Sequence, residues 1–251
     1  MISSCRQRLL ADLHVHSVAS ACAEIEMTPP LIVRRALQLG LGIVAITDHN
    51  SALNVAAARE VARGSGLTVW AGLEVQTREE AHIVCLFDEV NQAKALQETV
   101  EAHLPDEANP EEFFGMQLVV DARGELVRKD EQLRQVACDL SVEDTVALTR
   151  DLAGVAIAAH VDRPSYSLLA SLGFVPEDLD LVALEVSQAI PLDEVPTKMA
   201  RWARWAWTRS SDAHTLAQML PCMVLEVSEP TVAEFELALR QESGRNVTLV
   251  A

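Results

Sequence analysis

Three lysines, a single tyrosine and no long apolar run set the first limits on this 251-residue chain. No stretch reaches the roughly 18–20 apolar residues of a membrane span. The opening MISSCRQRLLADLHVH also lacks an apolar segment of signal-peptide length. The five cysteines (Cys5, Cys22, Cys85, Cys138, Cys222) are odd in number and form no CxxC pair. They read as free thiols in a reducing cytoplasm rather than as a disulfide frame. Positive charge is scarce: 20 Lys and Arg face 37 Asp and Glu, giving a net charge of −17 with no basic stripe. Such a surface repels polyphosphate chains and anionic membranes, so neither a nucleic-acid polymer nor a membrane is an expected partner. A local cationic centre, such as bound metal, can still draw in a small anion. Low-complexity tracts and internal repeats are absent as well.

What is present suffices for one large core, since 49% of the residues are hydrophobic. TPPLIVRRALQLG (28–40) offers Thr28 as cap, Pro29 for the first turn and Gly40 for a left-handed stop, which predicts a helix. LGIVAIT (41–47) follows as a continuous apolar run, the mark of a strand covered on both faces. Further helices are expected at 51–64, 91–104, 141–154 with Ser141 as cap, 165–173, 192–203 and 231–241. Strands are expected at 67–73, 82–87, 155–159, 181–186, 206–211, 222–227 and the final NVTLV. This alternation implies parallel pairing with right-handed crossovers, and seven or eight units suggest an α/β barrel in one domain over 1–251. Residues 105–140 break the rhythm. PDEANPEEFFG is loop-like and MQLVVDARGELVRK predicts a hairpin turning at Ala122–Gly124. That stretch is an insertion, either a lid over a site or a surface elaboration.

Chemistry-bearing residues collect at the ends of the predicted strands. His14 and His16 follow a short apolar run, and a period of two places them on one face. Asp48 and His49 follow GIVAIT, Glu74 follows LTVWAGL, His160 follows VAIAA, and Asp212 and His214 follow WTRSS. In a parallel barrel those ends share one rim, where active sites are built. Singly, each residue has an ordinary reading as a loop or core histidine, or as a helix cap. Jointly, so many imidazoles and carboxylates are unfavourable without cations and favourable with divalent metals. His82 opens its strand instead of closing it, so strand-end position does not place it. His103, at a helix end, reads as a surface residue near the negative pole of the dipole.

The segments DLHVHS (12–17), TDHN (47–50), GLEV (72–75) with His82, AAHVDRP (158–164) and SSDAH (210–214) resemble, in this order, the motifs of the PHP family, the polymerase and histidinol phosphatase domain. MTPPLIV, ITDHNSALN, GLEVQTREEAH, EEFFG and AHVDRPSYS are further similar to a bacterial branch of stand-alone PHP proteins. The resemblance implies a distorted (β/α)7 TIM-like barrel that holds two or three divalent ions (zinc, iron or manganese) for phosphoester hydrolysis. Carried over, His14, His16 and Asp212 would hold the first metal, and Glu74 would bridge it to a second held by His82 and His160. His49 and His214 would hold a third. Where many relatives place an Asp or His shortly after the first motif, this chain has Ala21 and Cys22. Cys22 is therefore a candidate ligand whose soft thiolate favours zinc or iron, with a free core thiol as the alternative.

On that basis a hydroxide bridging two metals would attack phosphorus in line. Asp48 is expected to orient His49 or a metal water. Arg163, three residues past His160, has the planar fork that matches phosphate oxygens, and Arg78 is the second candidate. A plain salt bridge is the alternative for either. Glu185 is assigned a structural hydrogen bond, and the tryptophans of RWARWAW (201–207) are assigned to packing. The expected function is a metal-dependent phosphoesterase acting on a small phosphate ester, such as a nucleotide or sugar phosphate. A nuclease or exonuclease acting on DNA or RNA is the alternative that the charge disfavours. A C–N or C–O hydrolase on an amidohydrolase-like barrel is disfavoured because Lys94, Lys129 and Lys198 all lie outside the motifs. A non-catalytic metal-dependent regulatory protein is disfavoured by the complete ligand set.

Overall fold

The structure, a computed structural model, describes residues 6–250, so Cys5 lies outside the described residues. Apolar runs form strands and amphipathic runs form helices in near-regular alternation. The chain opens with β1 (Gln7–Val15), α1 (Pro29–Gln38), β2 (Leu41–Ile46), α2 (Val55–Ala62), β3 (Thr68–Gln76), β4 (His82–Phe87) and α3 (Val90–Glu101). Residues 105–140 contain the short α4 (Glu111–Phe114) and a separate hairpin of β5 (Leu118–Val120) and β6 (Leu126–Lys129). Its turn uses Gly124 at a φ of 82°. The remainder is α5 (Val142–Asp151), β7 (Val155–Ala158), α6 (Leu168–Leu172), β8 (Ala183–Val186), α7 (Val195–Lys198), β9 (Trp207–Arg209), β10 (Met223–Val227), α8 (Val232–Leu239) and β11 (Asn246–Leu249).

Local signals explain most boundaries. Ser141 caps α5 by accepting from Asp144 N at 3.0 Å, and the Asp144 carboxylate reaches back to Ser141 N at 3.1 Å. This reciprocal pair is a capping box. The single helix expected over 192–203 does not form. Pro196 sits in the first turn of the four-residue α7, and a 3-10 turn flanks it on each side. Trp202 and Trp205, in and just after the second of these turns, pack on the core together with Trp207 at the start of β9.

Nine strands form one sheet in the order β11-β10-β1-β2-β3-β4-β7-β8-β9. The end strands β9 and β11 lie against each other without a hydrogen-bonded ladder, so the sheet curls into a nearly closed barrel. The expectation of wholly parallel pairing needs correction. β1–β2, β2–β3, β7–β8 and β8–β9 are parallel, whereas β4 runs antiparallel to both β3 and β7, and β10 to both β1 and β11. Only residues 77–81 join β3 to β4. That is too short for a crossover and enough for a hairpin.

Alternation along the strands divides the apolar residues into two layers. Ile43, Ala45, Trp70, Val84, Leu86 and Ile157 belong to an inner cluster that α8 joins through Val232, Phe235 and Ala238. Residues one step along (Val44, Val69, Ile83, Ala156) pack outward against α1, α2, α3 and α5. Apolar side chains thus plug one end of the barrel, and the polar residues described next occupy the other. Among the described residues no helix is long and apolar enough to cross a membrane.

Candidate metal centre

Glu74 sits near the end of β3 on the inward side, two steps beyond Gly72. Its Oε1 lies 2.8 Å from His82 Nδ1, 3.1 Å from His160 Nε2 and 3.3 Å from His14 Nε2. Its Oε2 lies 2.9 Å from His49 Nδ1 and 3.5 Å from His16 Nε2. One fully buried carboxylate therefore meets five imidazoles. The antiparallel hairpin explains His82: Gln76 pairs with His82 and Glu74 with Val84, so the start of β4 lies at the rim where β3 ends.

Backbone irregularities bring the other side chains in. A register shift between Asp12 and Val15 bends β1 where its histidines emerge. Ala159 belongs to the inner cluster, so strict alternation would send residue 160 outward. His160 adopts a φ of 29° and Asp212 one of 51°, and both reach the centre. Non-glycine residues in this region cost energy and concentrate at functional sites. The 48–50 loop is zipped onto β3 by Glu74 N donating to Asp48 O at 3.0 Å and Asn50 N donating to Glu74 O at 2.8 Å.

Hydrogen bonds around the ring fix which nitrogens face inward. His14 Nδ1 lies 3.0 Å from Glu185 Oε1, a carboxylate that can only accept, so Nδ1 carries a proton and Nε2 points inward. Asp48, fully buried, takes Ser17 N at 2.6 Å, Ser17 Oγ at 2.7 Å and Ser20 Oγ at 2.7 Å. Ser20 Oγ, having given its proton to Asp48, accepts from His49 N at 3.1 Å and from His16 Nδ1 at 3.1 Å. His16 Nε2 then faces His14 Nε2 at 3.2 Å. Two bare lone pairs repel at that distance, so positive charge has to lie between them: a proton on His14, or a cation.

The electrostatics agree. Burial disfavours a charged His14, but Glu74, Glu185 and Asp212 outweigh it and hold the imidazole well above its usual pKa. Burial together with neighbouring His214 and His49 pushes His16 well below the usual range. Glu74 is held well below the carboxylate range against burial, by His82, His14 and His49. His49 Nδ1, Glu74 Oε2, His82 Nε2 and His160 Nδ1 are buried without a hydrogen-bond partner. The 2.9 Å approach of His49 Nδ1 to Glu74 Oε2 is close but not aligned as a hydrogen bond. Convergent, unsatisfied imidazole and carboxylate atoms are the donor set of a divalent metal site.

Among the described residues, three groups have the geometry to hold an ion: His16, His49 and His214; His14, His16 and Glu74; His49, Glu74 and His82. His16, His49 and Glu74 each belong to two of these groups, so the groups overlap. Asp212 Oδ1 lies 3.1 Å from His16 Nε2 and 3.4 Å from His14 Nε2. His214 Nδ1 lies 2.9 Å from the Asp212 carbonyl, and its ring stacks on His16 at 4.3 Å. Cys22 lines the same cleft as His49 and His214.

The expected catalytic residues divide. Arg163 reaches Asp212 Oδ2 at 2.7 Å and lines the cleft. Asp48 does not face the cleft but acts through Ser20, a residue that the sequence reading passed over. Arg78 is not brought to the centre: it pairs with Asp139 at 3.2 Å on another face. Glu185, set aside as structural, orients His14. Asp12, also passed over, clamps the Asp212 loop by accepting from Ser211 N at 2.9 Å and Ser211 Oγ at 2.6 Å. His103 is exposed, as expected, with Nδ1 2.8 Å from Thr99 O.

A family model for the PHP domain matches residues 12–191. The chain is 37% identical over 90 residues to the 5'-3' exoribonuclease Rnm of Salmonella typhimurium, covering 34% of this chain and 30% of that protein. The Rnm of Escherichia coli matches at 37% over 91 residues with the same coverage. Among solved structures, the lesion-specific endonuclease Q of Pyrococcus furiosus superposes with a TM-score of 0.70 at 20% identity, covering 96% of this chain and 58% of that one. Endonuclease Q in complex with a 27-mer duplex carrying an abasic lesion superposes at 0.68 and 21% identity, with the same coverage. The expectation against a nucleic-acid polymer as partner is overturned by these relatives, and a small phosphate ester as substrate gains no support from them. Net charge is a sum over the molecule, whereas bound cations invert the local field where phosphate meets the protein.

Proposed function

The chain belongs to the PHP domain family, and from that premise we propose that it is a metal-dependent phosphodiesterase cleaving nucleic-acid strands at this centre. The observation that carries the reading is the buried convergence of five imidazoles on Glu74 beneath an open cleft of about 240 Å³. His14, His16, His49, His82, His160, His214, Glu74 and Asp212 would hold two or three divalent ions, with Cys22 beside His49 and His214. Imidazole and carboxylate donors suit zinc, iron and manganese. When bound, such ions supply an acidified water and neutralise the phosphoryl oxygens. Arg163, 44% exposed at the cleft and tethered through one nitrogen to Asp212, offers its remaining N–H groups to a phosphate. Glu185 and Ser20 hold the His14 and His16 rings with Nε2 inward, which fixes donor direction before any ligand arrives. The exoribonuclease relatives favour RNA as the polymer.

The test is hydrolysis of end-labelled single-stranded RNA, single-stranded DNA and duplex DNA by metal-loaded protein. Cleavage of a strand, lost on chelation and in His14→Ala, is the expected result. Hydrolysis that survives chelation, or that is confined to small monoesters, overturns the reading.

A further inference from the structure

We infer that Tyr166, Phe114 and Gln135 form a pocket for one unpaired nucleobase beside the scissile phosphate, and that residues 105–140 are thereby part of the substrate cleft. The inference deepens the nucleic-acid reading above and rests on it.

Four cleft-lining residues have no place in the metal chemistry: Gln76 at the end of β3, Phe114 and Gln135 from the 105–140 segment, and Tyr166 from the loop after β7. Gln135 Oε1 is buried and has no partner, an arrangement that costs free energy unless a ligand supplies a donor. The backbone on both sides of it is pinned. Asn50 Nδ2 donates to Arg134 O at 2.7 Å and to Val136 O at 2.8 Å, and Arg134 Nη1 donates to Asn50 O at 3.1 Å. Asn50 directly follows His49, so the amide is registered against a residue of the metal centre. A carboxamide with a free acceptor and two donors matches the hydrogen-bonding edge of a base.

Tyr166 supplies the flat face. Its backbone is held at a φ of 55°, and its carbonyl accepts from His82 N at 3.2 Å. The ring is half exposed and lies 5.2 Å from the His82 ring at 31°. Strained, fixed aromatic groups at a cleft mouth are suited to base stacking, which tolerates any base. Phe114 stands beside Gly115, which has a φ of 101°; a Cβ on Gly115 would meet Ala21 O at 2.4 Å. The end of α4 is thus wedged against the loop that carries Cys22. A base that enters the cleft and gives its hydrogen-bonding edge to Gln135 cannot at the same time pair with a second strand. The strand entering it is therefore unpaired at that position.

The experiment compares two single-stranded oligonucleotides of equal length, one with a base and one abasic next to the cleaved bond. Wild-type protein should favour the base-bearing oligomer in kcat/KM. Tyr166→Ala should reduce that preference roughly tenfold, mostly through KM, and Tyr166→Phe should keep it. Gln135→Ala should reduce the preference as well, with metal content equal to wild type in all variants. A preference unchanged in both Tyr166→Ala and Gln135→Ala overturns the pocket. If wild type cleaves neither oligomer, the nuclease reading fails alone, and fluorescence quenching of a 2-aminopurine oligonucleotide decides the pocket. Stronger quenching by wild type than by Tyr166→Ala sustains it; equal quenching overturns it.

Discussion

Cys22 shows how a residue's chemistry depends on where its neighbours sit. Partial desolvation opposes ionisation of the thiol of this exposed residue, but His214 and His49 beside it outweigh that and bring the pKa to about 6. Burial instead pushes Cys85 up to about 12. In metal-free protein, iodoacetamide should label Cys22 first, at a rate that rises through pH 6 and levels off above it, because the thiolate is the nucleophile. Cys85 should stay unlabelled. Peptide mapping across pH 5–9 checks this, and a Cys22 rate still climbing tenfold between pH 7 and 9 would contradict it. Added divalent metal should slow the labelling. Apart from His82, which opens its strand and which only the resemblance singled out, the histidines and acids of the centre stood out because they fall at strand ends in a repeating pattern. Ser20 did not, and Glu185 was expected only to make a hydrogen bond; that the two set the ring tautomers of His16 and His14 is something only contacts reveal.

At the level of elements, apolar runs and caps located nearly every strand and helix, including the 105–140 hairpin. Two departures have physical causes. Thr77–Ala81 is too short to cross over, so β4 reverses and carries His82 to the rim. Pro196 and the tryptophan-rich segment stop a continuous helix over 192–203. Sequence spacing also could not show that the 105–140 segment is bound to the metal loops. Leu118 N donates to Val18 O at 2.7 Å, and Gly115 touches Ala21. Gly115→Ala should strain this contact, costing about 1–3 kcal/mol and lowering the melting temperature by a few degrees. Calorimetry beside hydrogen exchange on α4 measures both; a variant with wild-type melting and exchange would show that the wedge carries no strain.

For the whole molecule, the −17 net charge misdirected the reading of partners because a sum over the chain says nothing of the local field at the centre that holds Glu74 and Asp212. These carboxylates sit inside a ring of imidazoles and are held ionised, both well below their usual range, chiefly against burial and by the histidines around them. Cations that bind the folded centre and not the unfolded chain must stabilise the fold, by about 2.7 kcal/mol at a hundredfold excess over Kd. For a chain of this size that corresponds to a rise of roughly 5–10 °C in Tm. Scanning calorimetry of chelated protein with and without added manganese or zinc measures it. His14→Ala should lose most of the shift, and a metal-independent Tm would remove the centre from the stability of the fold.

The sharing of Glu74 among five rings also bears on how this architecture can diverge. Replacing one histidine leaves the remaining donors gathered around the same oxygens. Shortening Glu74 withdraws oxygens from all five rings at once. Descendants are therefore free to reshape the walls that touch a substrate, while the carboxylate at the hub is inherited whole or the chemistry is given up.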